Sequence, residues 1–362
     1  MEMWHECKLG DVITLKRGYD LPQRDRLPGL FPIVSSSGVT DYNAIAKVKG
    51  PGVVTGRYGT LGEVFYIEGA FWPLNTSLYV QEFKGNDPRF IAYFLKNLNL
   101  GTKNSAGAVP GVNRNHIHAI DVCVPPLAVQ QRISSVLSAY DDLIENNQRR
   151  IRILEEMARS LYREWFVKFR FPGHENHRMV DSALGKIPGG WEVKRLDQLA
   201  EIRGGKQLEK ENIYAMGEFP VFGGNGIQGY SGKATHCGFV IAFGRVGAYC
   251  GSIHWSYGGA WLNNNSSSVV PMEYDELVLH HLLHFNFSNL RGGAAQPFIS
   301  NSALGRIELV LPRKTLAESF CSLAKPLRLQ QVALEHQIQN LRRTRDLLLP
   351  RLLSGQIEVD TA

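Results

Sequence analysis

Residues 31–42 have the sequence FPIVSSSGVTDY, and residues 219–230 have the sequence FPVFGGNGIQGY. In both stretches Phe-Pro is followed, after five intervening residues, by a glycine and, after three more, by a tyrosine. The second stretch begins 188 residues after the first. Such self-similarity indicates a duplicated structural unit.

Four further blocks recur in the same order, at offsets between 187 and 189 residues. They are Trp4-x4-Leu9 with Trp191-x4-Leu196, Gly56-Arg57-x-Gly59 with Gly244-Arg245-x-Gly247, Trp72-x2-Asn75 with Trp261-x2-Asn264, and Ile120-x-Val122-x-Val124-Pro125 with Ile307-x-Leu309-x-Leu311-Pro312. Nearly the whole chain is therefore a two-fold internal repeat.

Each repeat begins with a region rich in strands and turns. Segments bounded by glycine and proline predict strands at residues 53–55, 63–67, 77–80 and 122–124. Residues 87–95 predict a helix with Pro88 in its first turn, and Tyr274 to Phe285 stand at the matching place. We therefore expect a mixed α/β domain of about 120 residues in each repeat.

Each repeat ends in a long helix with apolar residues three and four positions apart, which is the spacing of a coiled-coil seam. The first seam is Leu137, Tyr140, Ile144, Asn147, Ile151, Leu154, Ala158, Leu161 and Trp165. The second is Leu316, Phe320, Leu323, Leu327, Gln330, Leu334, Gln337, Leu341, Thr344 and Leu348. The polar members should specify register and partner at some cost in stability.

Two prolines lie within the second helical pattern. Pro326 predicts a kink or break near Lys325, and Pro350 should bend or end the last turns. The alternative for both helices is ordinary amphipathic packing on their own domains. Their length disfavours that alternative, since about 40 residues at 1.5 Å each give a rod of about 60 Å.

The predicted fold class is α+β: two similar mixed α/β domains, separated by a pair of long antiparallel coiled-coil helices and related by a pseudo-two-fold repeat. The expected boundaries are 1–126 for the first domain, 127–170 for the first helix, 171–190 for a linker, 191–313 for the second domain, 314–354 for the second helix and 355–362 for a tail. Two domains held apart at a fixed distance suit duplex DNA, whose backbone is itself two-fold symmetric.

The composition agrees with a nucleic-acid partner but does not require one. The formal net charge is +6, and the isoelectric point is about 9.0. Five widely spaced cysteines without a Cys-x-x-Cys pair disfavour disulfides and zinc, and favour a reduced, cytoplasmic setting. Met1 to Glu6 do not resemble a signal peptide, and no apolar run approaches the length of a membrane span, so we expect no membrane association.

The doubled order of these blocks, together with residues 352–357 (LLSGQI), resembles the specificity subunit of type I restriction-modification enzymes. The resemblance implies that each α/β domain is a target recognition domain that reads half of a bipartite sequence in double-stranded DNA. It implies that the helices bind two methyltransferase subunits and that restriction (translocase) subunits join the full complex. It also implies no catalytic centre and no cofactor in this chain, because the methyltransferase partner binds S-adenosylmethionine.

Motifs of independent enzymes do not contradict this interpretation. Residues 124–127 (VPPL) lack the polar first residue and aromatic last residue of a methyltransferase motif, and the sequence contains no P-loop. The glycines at 224, 226 and 229 occur in a turn pattern, without the strand-to-helix context of dinucleotide binding. The histidines at 116 and 118, and at 280, 281 and 284, lack further ligands at metal-binding spacing.

Loops that differ between the repeats predict the residues that read different bases, because amide, hydroxyl and guanidinium groups pair with base edges. The predicted DNA-binding residues are Ser36, Ser37, Arg57, Tyr58, Asn75, Lys103, Asn113, Arg114, Asn115, Asn225, Arg245, Asn264, Arg291, Gln296, Ser300 and Asn301. Arg57 and Arg245 share one motif, which suits phosphate contact in both repeats, although a structural salt bridge is the alternative. For every loop residue the alternative is a solvated surface.

Helix pairing or partner docking is predicted for a second set of residues: Leu137, Tyr140, Ile144, Asn147, Ile151, Leu154, Leu161, Leu334, Leu341 and Leu348. Two other functions stay open. The chain could be the DNA-recognition subunit of a type IIB-like or methylation-only system, or a coiled-coil scaffold that does not bind DNA.

Overall fold

The computed structural model describes residues 4–58, 60–98, 100, 113–292 and 296–359. The chain forms two compact units. Unit 1 comprises Met1–Gln148 and Glu335–Ala362, and unit 2 comprises Arg149–Leu334.

The described residues of unit 1 form three small sheets, three short α-helices and parts of two long helices. Its strands are β1 (His5–Lys8), β2 (Thr14–Arg17), β3 (Phe31–Ser35), β4 (Gly38–Asn43), β5 (Gly52–Gly56), β6 (Val64–Ile67), β7 (Trp72–Pro73), β8 (Ser77–Glu82) and β9 (Asp121–Val124). Its helices are α1 (Leu9–Val12), α2 (Pro88–Asn97), α3 (Arg114–His118), the start of α4 (Leu127–Tyr162) and the end of α7 (Lys314–Leu353). The strand order is β2-β8-β5-β6 in a four-stranded sheet, β4-β3-β7 in a three-stranded sheet, and β1-β9 in a pair.

The four-stranded sheet of unit 1 is buried on both faces. Val53 and Leu78 face one core cluster with α2, whereas their neighbours Val54 and Tyr79 face another cluster with Phe71. The alternation follows from the two-residue period of a strand, and it explains why residues 53–54 and 78–80 are apolar without interruption. The three-stranded sheet thus lies on the face opposite α2.

Unit 2 repeats this topology. Its strands are β10 (Met179–Ser182), β11 (Gly185–Pro188), β12 (Glu192–Arg195), β13 (Ala200–Gly204), β14 (Phe219–Gly223), β15 (Gly226–Ser231), β16 (Val240–Gly244), β17 (Ile253–Ser256), β18 (Trp261–Leu262), β19 (Ser266–Pro271) and β20 (Glu308–Leu311). Its helices are the end of α4, α5 (Asp275–His284), α6 (Asn301–Gly305) and the first half of α7. The orders β13-β19-β16-β17, β15-β14-β18 and β12-β20 match those of unit 1 strand for strand. The predicted strands and short helices are therefore confirmed. The β10–β11 hairpin lies within the segment expected to be a linker, and the sequence analysis missed it.

Helix α2 begins as its sequence predicts. The Asp87 carboxylate accepts a hydrogen bond from the Phe90 backbone N–H at 2.7 Å, and Pro88 occupies the first turn. Such a cap satisfies an amide that has no partner within the helix.

The seam predicted for α4 matches its burial. Leu137, Ile144, Asn147, Leu154, Ala158 and Trp165 are buried, and Tyr140, Ile151 and Leu161 are partly buried. A π-helical turn (Arg163–Val167) continues α4 and carries Trp165.

The seam predicted for α7 is only partly correct. Phe320, Leu327, Leu334, Leu341 and Leu348 lie on the packed face as expected. At the intervening positions the next residue is the more deeply buried one, namely Ala317, Ala324, Gln331, Ile338 and Arg345. Leu323, Gln330 and Thr344 are exposed, whereas Leu316 is partly buried against the core and Gln337 accepts a hydrogen bond from Asn147. Leu323 is 50% exposed whereas Ala324 is fully buried. Hydrophobicity alone favours Leu323 for the packed face. Close approach of α7 to the elements it packs against favours the smaller Ala324 instead.

The break predicted near Lys325 does not occur, because α7 is continuous from Lys314 to Leu353. Proline at position 326 removes one backbone donor and crowds the preceding turn. Packing on both sides compensates: Phe320 and Ala324 are fully buried before Pro326, and Arg328 is 2% exposed after it. The helix ends three residues after Pro350, within the last turn.

Within each unit the segments of α4 and α7 run antiparallel. In unit 1, Asp141 pairs with Arg345 and Asn147 donates a hydrogen bond to Gln337 at 3.3 Å. In unit 2, Phe320 packs against Tyr162 and Trp165. Among the residues described, no helix has the length and apolarity that a membrane crossing would need.

Candidate nucleic-acid interface

Three turns meet at one end of the α/β domain in each unit, and we call them the turn cluster. The first is the hairpin tip between β3 and β4, or between β14 and β15. Ser37 and Asn225 stand at the same place in the two tips, and both are exposed. The following residues, Gly38 and Gly226, have φ of +99° and +97°, a conformation that favours glycine.

The second turn of the cluster carries the shared arginine. The Arg57 backbone N–H donates to the Thr76 carbonyl at 2.9 Å, and the Arg245 backbone N–H donates to the Asn265 carbonyl at 3.1 Å. In the part of the chain that the structure describes, neither guanidinium forms an ion pair. Arg57 instead lies 4.6 Å from the centre of the Tyr58 ring, and Arg245 lies 5.1 Å from that of Phe298. The salt-bridge alternative is thus not supported.

The third turn carries the shared asparagine. Asn75 donates a hydrogen bond to the Asp20 carboxylate, and Asn264 donates to Gln207 Oε1 at 3.5 Å. In each repeat a glycine two residues before the hydrogen-bond partner packs closely against the backbone that precedes the asparagine. A β-carbon on Gly18 would lie 2.1 Å from the Leu74 carbonyl oxygen, and one on Gly205 would lie 2.0 Å from that of Asn263.

Backbone hydrogen bonds join the three turns. Leu74 N–H donates to the Val34 carbonyl at 2.8 Å, next to the first hairpin tip, and Asn263 N–H donates to the Phe222 carbonyl at 2.8 Å in the second repeat. The structure therefore brings together one predicted set in unit 1 and its counterpart in unit 2. The sets are Ser36, Ser37, Arg57, Tyr58 and Asn75, and Asn225, Arg245 and Asn264.

In unit 2 residues 297–299 join the turn cluster. Gly247 N–H donates to the Pro297 carbonyl at 2.9 Å, and Ile299 N–H donates to the Arg245 carbonyl at 3.0 Å. Gln296 is exposed beside this segment. Lys103, in the corresponding segment of the first repeat, lies outside the described residues.

Two predicted residues have a local structural role. The Asn113 side chain accepts from the Asn115 backbone N–H at 3.0 Å and caps α3, while the Ser300 hydroxyl accepts from the Ala303 N–H at 3.1 Å and caps α6. Asn113 and Ser300 occupy equivalent positions in the two repeats, and both residue types favour helix N-termini. Arg114 is exposed on the first turn of α3.

Two further predicted residues of unit 2 bond within the domain. Asn301 Oδ1 accepts from the Ser267 hydroxyl at 2.6 Å. Arg291 Nη2 donates to the Cys250 carbonyl at 2.8 Å.

The sequence analysis missed several residues of the turn cluster. Asp20 and Gln207 follow Gly18 and Gly205 by two positions, and this equivalence between the repeats could have revealed them. Gln228 accepts from Asn263 at 3.0 Å, and Tyr249 is 55% exposed beside the arginine turn. The accessible groups are amides, hydroxyls, one carboxylate and guanidinium groups, which are the groups that pair with base edges and phosphates.

Two of the histidines singled out from the sequence, His118 and His281, form hydrogen bonds within their own units. His118 Nε2 accepts from the Leu15 N–H at 2.9 Å, and His281 Nδ1 shares a hydrogen bond with the Tyr162 hydroxyl at 2.7 Å. Burial of His254, beneath the second hairpin, lowers the pKa of its imidazole. Across the described residues, no group of three or more His, Cys, Asp or Glu side chains is arranged to hold a metal ion.

Comparisons with known proteins place this arrangement in a family. The chain is 26% identical over 275 residues to the type I restriction enzyme MjaIX specificity subunit of Methanocaldococcus jannaschii, a match that covers 69% of this chain and 64% of that subunit. This chain thus spans less than two thirds of that relative. It is 22% identical to the HindI specificity subunit of Haemophilus influenzae, with 70% of this chain and 73% of that subunit covered.

The fold of this chain is also found in a solved structure. The crystal structure of the type I restriction-modification system S subunit from M. genitalium matches with a TM-score of 0.70 at 17% identity, and the match covers 96% of both chains. The similarity confirms the predicted fold class. Residues 1–156 and 188–340 match the family model of the type I restriction modification DNA specificity domain. The chain therefore belongs to the family of type I restriction-modification DNA specificity proteins.

Proposed function

We propose that this chain is the DNA-reading subunit of a type I restriction-modification complex. Each α/β domain would read one block of a bipartite target in double-stranded DNA. The single observation that carries the proposal is the turn cluster, because the same backbone arrangement recurs with different side chains. Ser37 and Asp20 in the first repeat stand where Asn225 and Gln207 stand in the second.

Different side chains on a shared framework suit the reading of two different half-sites. A carboxylate only accepts hydrogen bonds, whereas an amide both donates and accepts, so the two clusters would favour different base edges. Each cluster carries an arginine at the same place, Arg57 in the first and Arg245 in the second. We assign both to phosphate contacts, which position the duplex without specifying sequence.

The helices α4 and α7 would dock two methyltransferase subunits, and restriction subunits would join that assembly. Catalysis would reside in those partners, with S-adenosylmethionine bound by the methyltransferase, and the complex would act in the cytoplasm. Support comes from the exposed apolar residues beside the seam, which include Met157 and Leu323 at 51% and 50% exposure.

Selection from a randomised duplex library tests the proposal. The full chain, purified together with its methyltransferase subunits, should enrich two short specified blocks separated by an unspecified spacer of constant length. Enrichment of one continuous block would contradict two-domain reading. Failure to retain duplex DNA at low salt would instead favour a scaffold without DNA binding.

A further inference from the structure

Two lysines flank a pair of aromatic rings beside the turn cluster of unit 1. Lys47 Nζ lies 5.2 Å from the centre of the Tyr19 ring and 5.8 Å from that of Trp72. Lys16 Nζ lies 5.8 Å from the Tyr19 ring. The two rings meet edge to face with centroids 6.5 Å apart. We call these four residues the lysine–aromatic patch.

The positive charge of the patch is not neutralised by acidic side chains. Within the described part of the chain, neither Lys16 nor Lys47 forms an ion pair. The Tyr19 hydroxyl lies 3.0 Å from the Tyr79 hydroxyl. That hydrogen bond, together with the charges of Lys16 and Lys47, lowers the pKa of Tyr19. The two ammonium groups therefore have no carboxylate partner among the described residues and are available to an incoming anion.

The lysine–aromatic patch is continuous with the turn cluster. Tyr19 precedes Asp20, and its backbone N–H donates to the Pro73 carbonyl at 2.8 Å. Trp72 lies in β7, three residues before Asn75. A duplex seated on the first turn cluster would thus have its sugar-phosphate backbone within reach of the flexible lysine side chains.

The second repeat lacks this arrangement of charges. Backbone bonds pair Lys47 with the Phe71 carbonyl and Thr235 with the Ala260 carbonyl, so Thr235 occupies the position of Lys47. Arg203 occupies the position of Lys16, and its guanidinium pairs with Glu201. Lys206 replaces Tyr19, while the tryptophan is retained as Trp261, whose Nε1 donates to the Lys206 carbonyl at 2.8 Å.

We propose that the lysine–aromatic patch binds backbone phosphates of duplex DNA next to the first half-site, and that it gives the first domain more non-specific contacts than the second. The inference rests on the proposed DNA-reading function. Lysine is a mobile point charge that suits phosphate rather than a defined base edge. The aromatic rings restrict where the two ammonium groups can lie.

The test is the salt dependence of duplex binding by the full chain with its methyltransferase subunits. Replacing both lysines (K16A/K47A) should make the slope of log binding constant against log salt shallower by about 0.9 per lysine, with unchanged sequence preference. K47R should keep the wild-type slope. T235K should steepen it by about 0.9, because it adds a cation at the matching place of the second repeat.

A matched control is K96A, since Lys96 is exposed on α2, on the other side of the four-stranded sheet. It should leave the slope unchanged. A wild-type slope in K16A/K47A, while wild-type protein still binds its bipartite target, would overturn the patch and leave the proposed function standing. A changed base preference in that variant would overturn the assignment to phosphate. Absence of DNA binding by the wild-type complex would overturn both proposals.

Discussion

Asn75 donates a hydrogen bond from its side-chain amide to the carboxylate of Asp20, on the exposed end of the first domain. The same contact in the second domain joins Asn264 to Gln207. The asparagine is thus constant between repeats, while its partner changes from an acid to an amide. A change from an acid to an amide alters the hydrogen bonds that the surface offers to a base, while the protein backbone keeps the same arrangement.

Replacing the residue that accepts the asparagine's hydrogen bond, Asp20 or Gln207, should change base preference in one half-site only. Asp20→Gln gives the first cluster an amide that can donate as well as accept, so base preference in one block should shift by roughly 1–3 kcal/mol, which is at least about fivefold. Gln207→Asp should alter the other block. Selected libraries from the two variants provide the measurement. The same block altered by both variants, or both blocks altered by one, would refute the assignment.

Loss of the shared arginine should weaken binding without altering specificity. Arg57→Ala removes a guanidinium that stacks on Tyr58 and has no described carboxylate partner. We expect a uniform loss of affinity across sequences and a salt slope shallower by about 0.9. Arg57→Lys should retain most of the slope. Titration of target and non-target duplexes at several salt concentrations measures this, and a loss restricted to one base pair would count against phosphate contact.

Removal of the equivalent helix caps should affect stability and not base preference. Asn113→Ala and Ser300→Ala each leave a backbone N–H without its partner, at a cost of about 1 kcal/mol. Asn113→Ser should restore most of the loss. Denaturant unfolding gives the stability, and library selection gives the preference. A relaxed half-site in the stable Asn113→Ser variant would show that this side chain reads bases.

Stability of unit 2 should fall in acid. Burial lowers the pKa of His280 and of His281 to about 3, well below the value of about 6.5 in an unfolded chain. The unfolded state therefore binds more protons as the pH falls from about 6.5 towards 3, and stability is lost by up to about 1.4 kcal/mol per pH unit for each histidine.

Neighbouring groups modify this acid dependence. Glu276 opposes it, because burial raises the pKa of its carboxyl group and its protonation favours the folded state. Buried Arg328, near Glu276 and His280, lowers the pKa of His280 further. His281→Gln should flatten the dependence of melting temperature on pH between 6 and 4, whereas His116→Gln, at an exposed position of α3, should not. Equal slopes for wild type and His281→Gln would contradict the burial argument.

Local patterns predicted most of the fold. The alternating burial of Val53 and Val54, the cap of α2 at Asp87 and the seam of α4 all follow from residue periods and side-chain chemistry. The α7 seam was only partly correct, because close packing against the neighbouring elements favours a small residue such as Ala324 over the more hydrophobic Leu323. The helix break predicted at Pro326 was wrong for the same reason, because tertiary packing outweighed the local cost of a proline within a helix.

The candidate site was less predictable than the fold. Repeat comparison found Arg57, Arg245 and the hairpin tips, because they recur at fixed offsets. It could not distinguish a surface asparagine from a helix cap such as Asn113, since both roles favour the same residue type. Asp20 and Lys47 were missed because their significance lies in contacts with residues distant in sequence.

The central claim is that each repeat reads its own block of one bipartite target. The most direct measurement is the sequence of methylated sites in a plasmid library propagated with this chain and its methyltransferase subunits, before and after Ser36-Ser37 is replaced by Gly-Asn from the second hairpin tip. We expect two blocks with a constant spacer, of which the replacement changes one. A continuous methylated site, or a replacement that changes both blocks together, would contradict it.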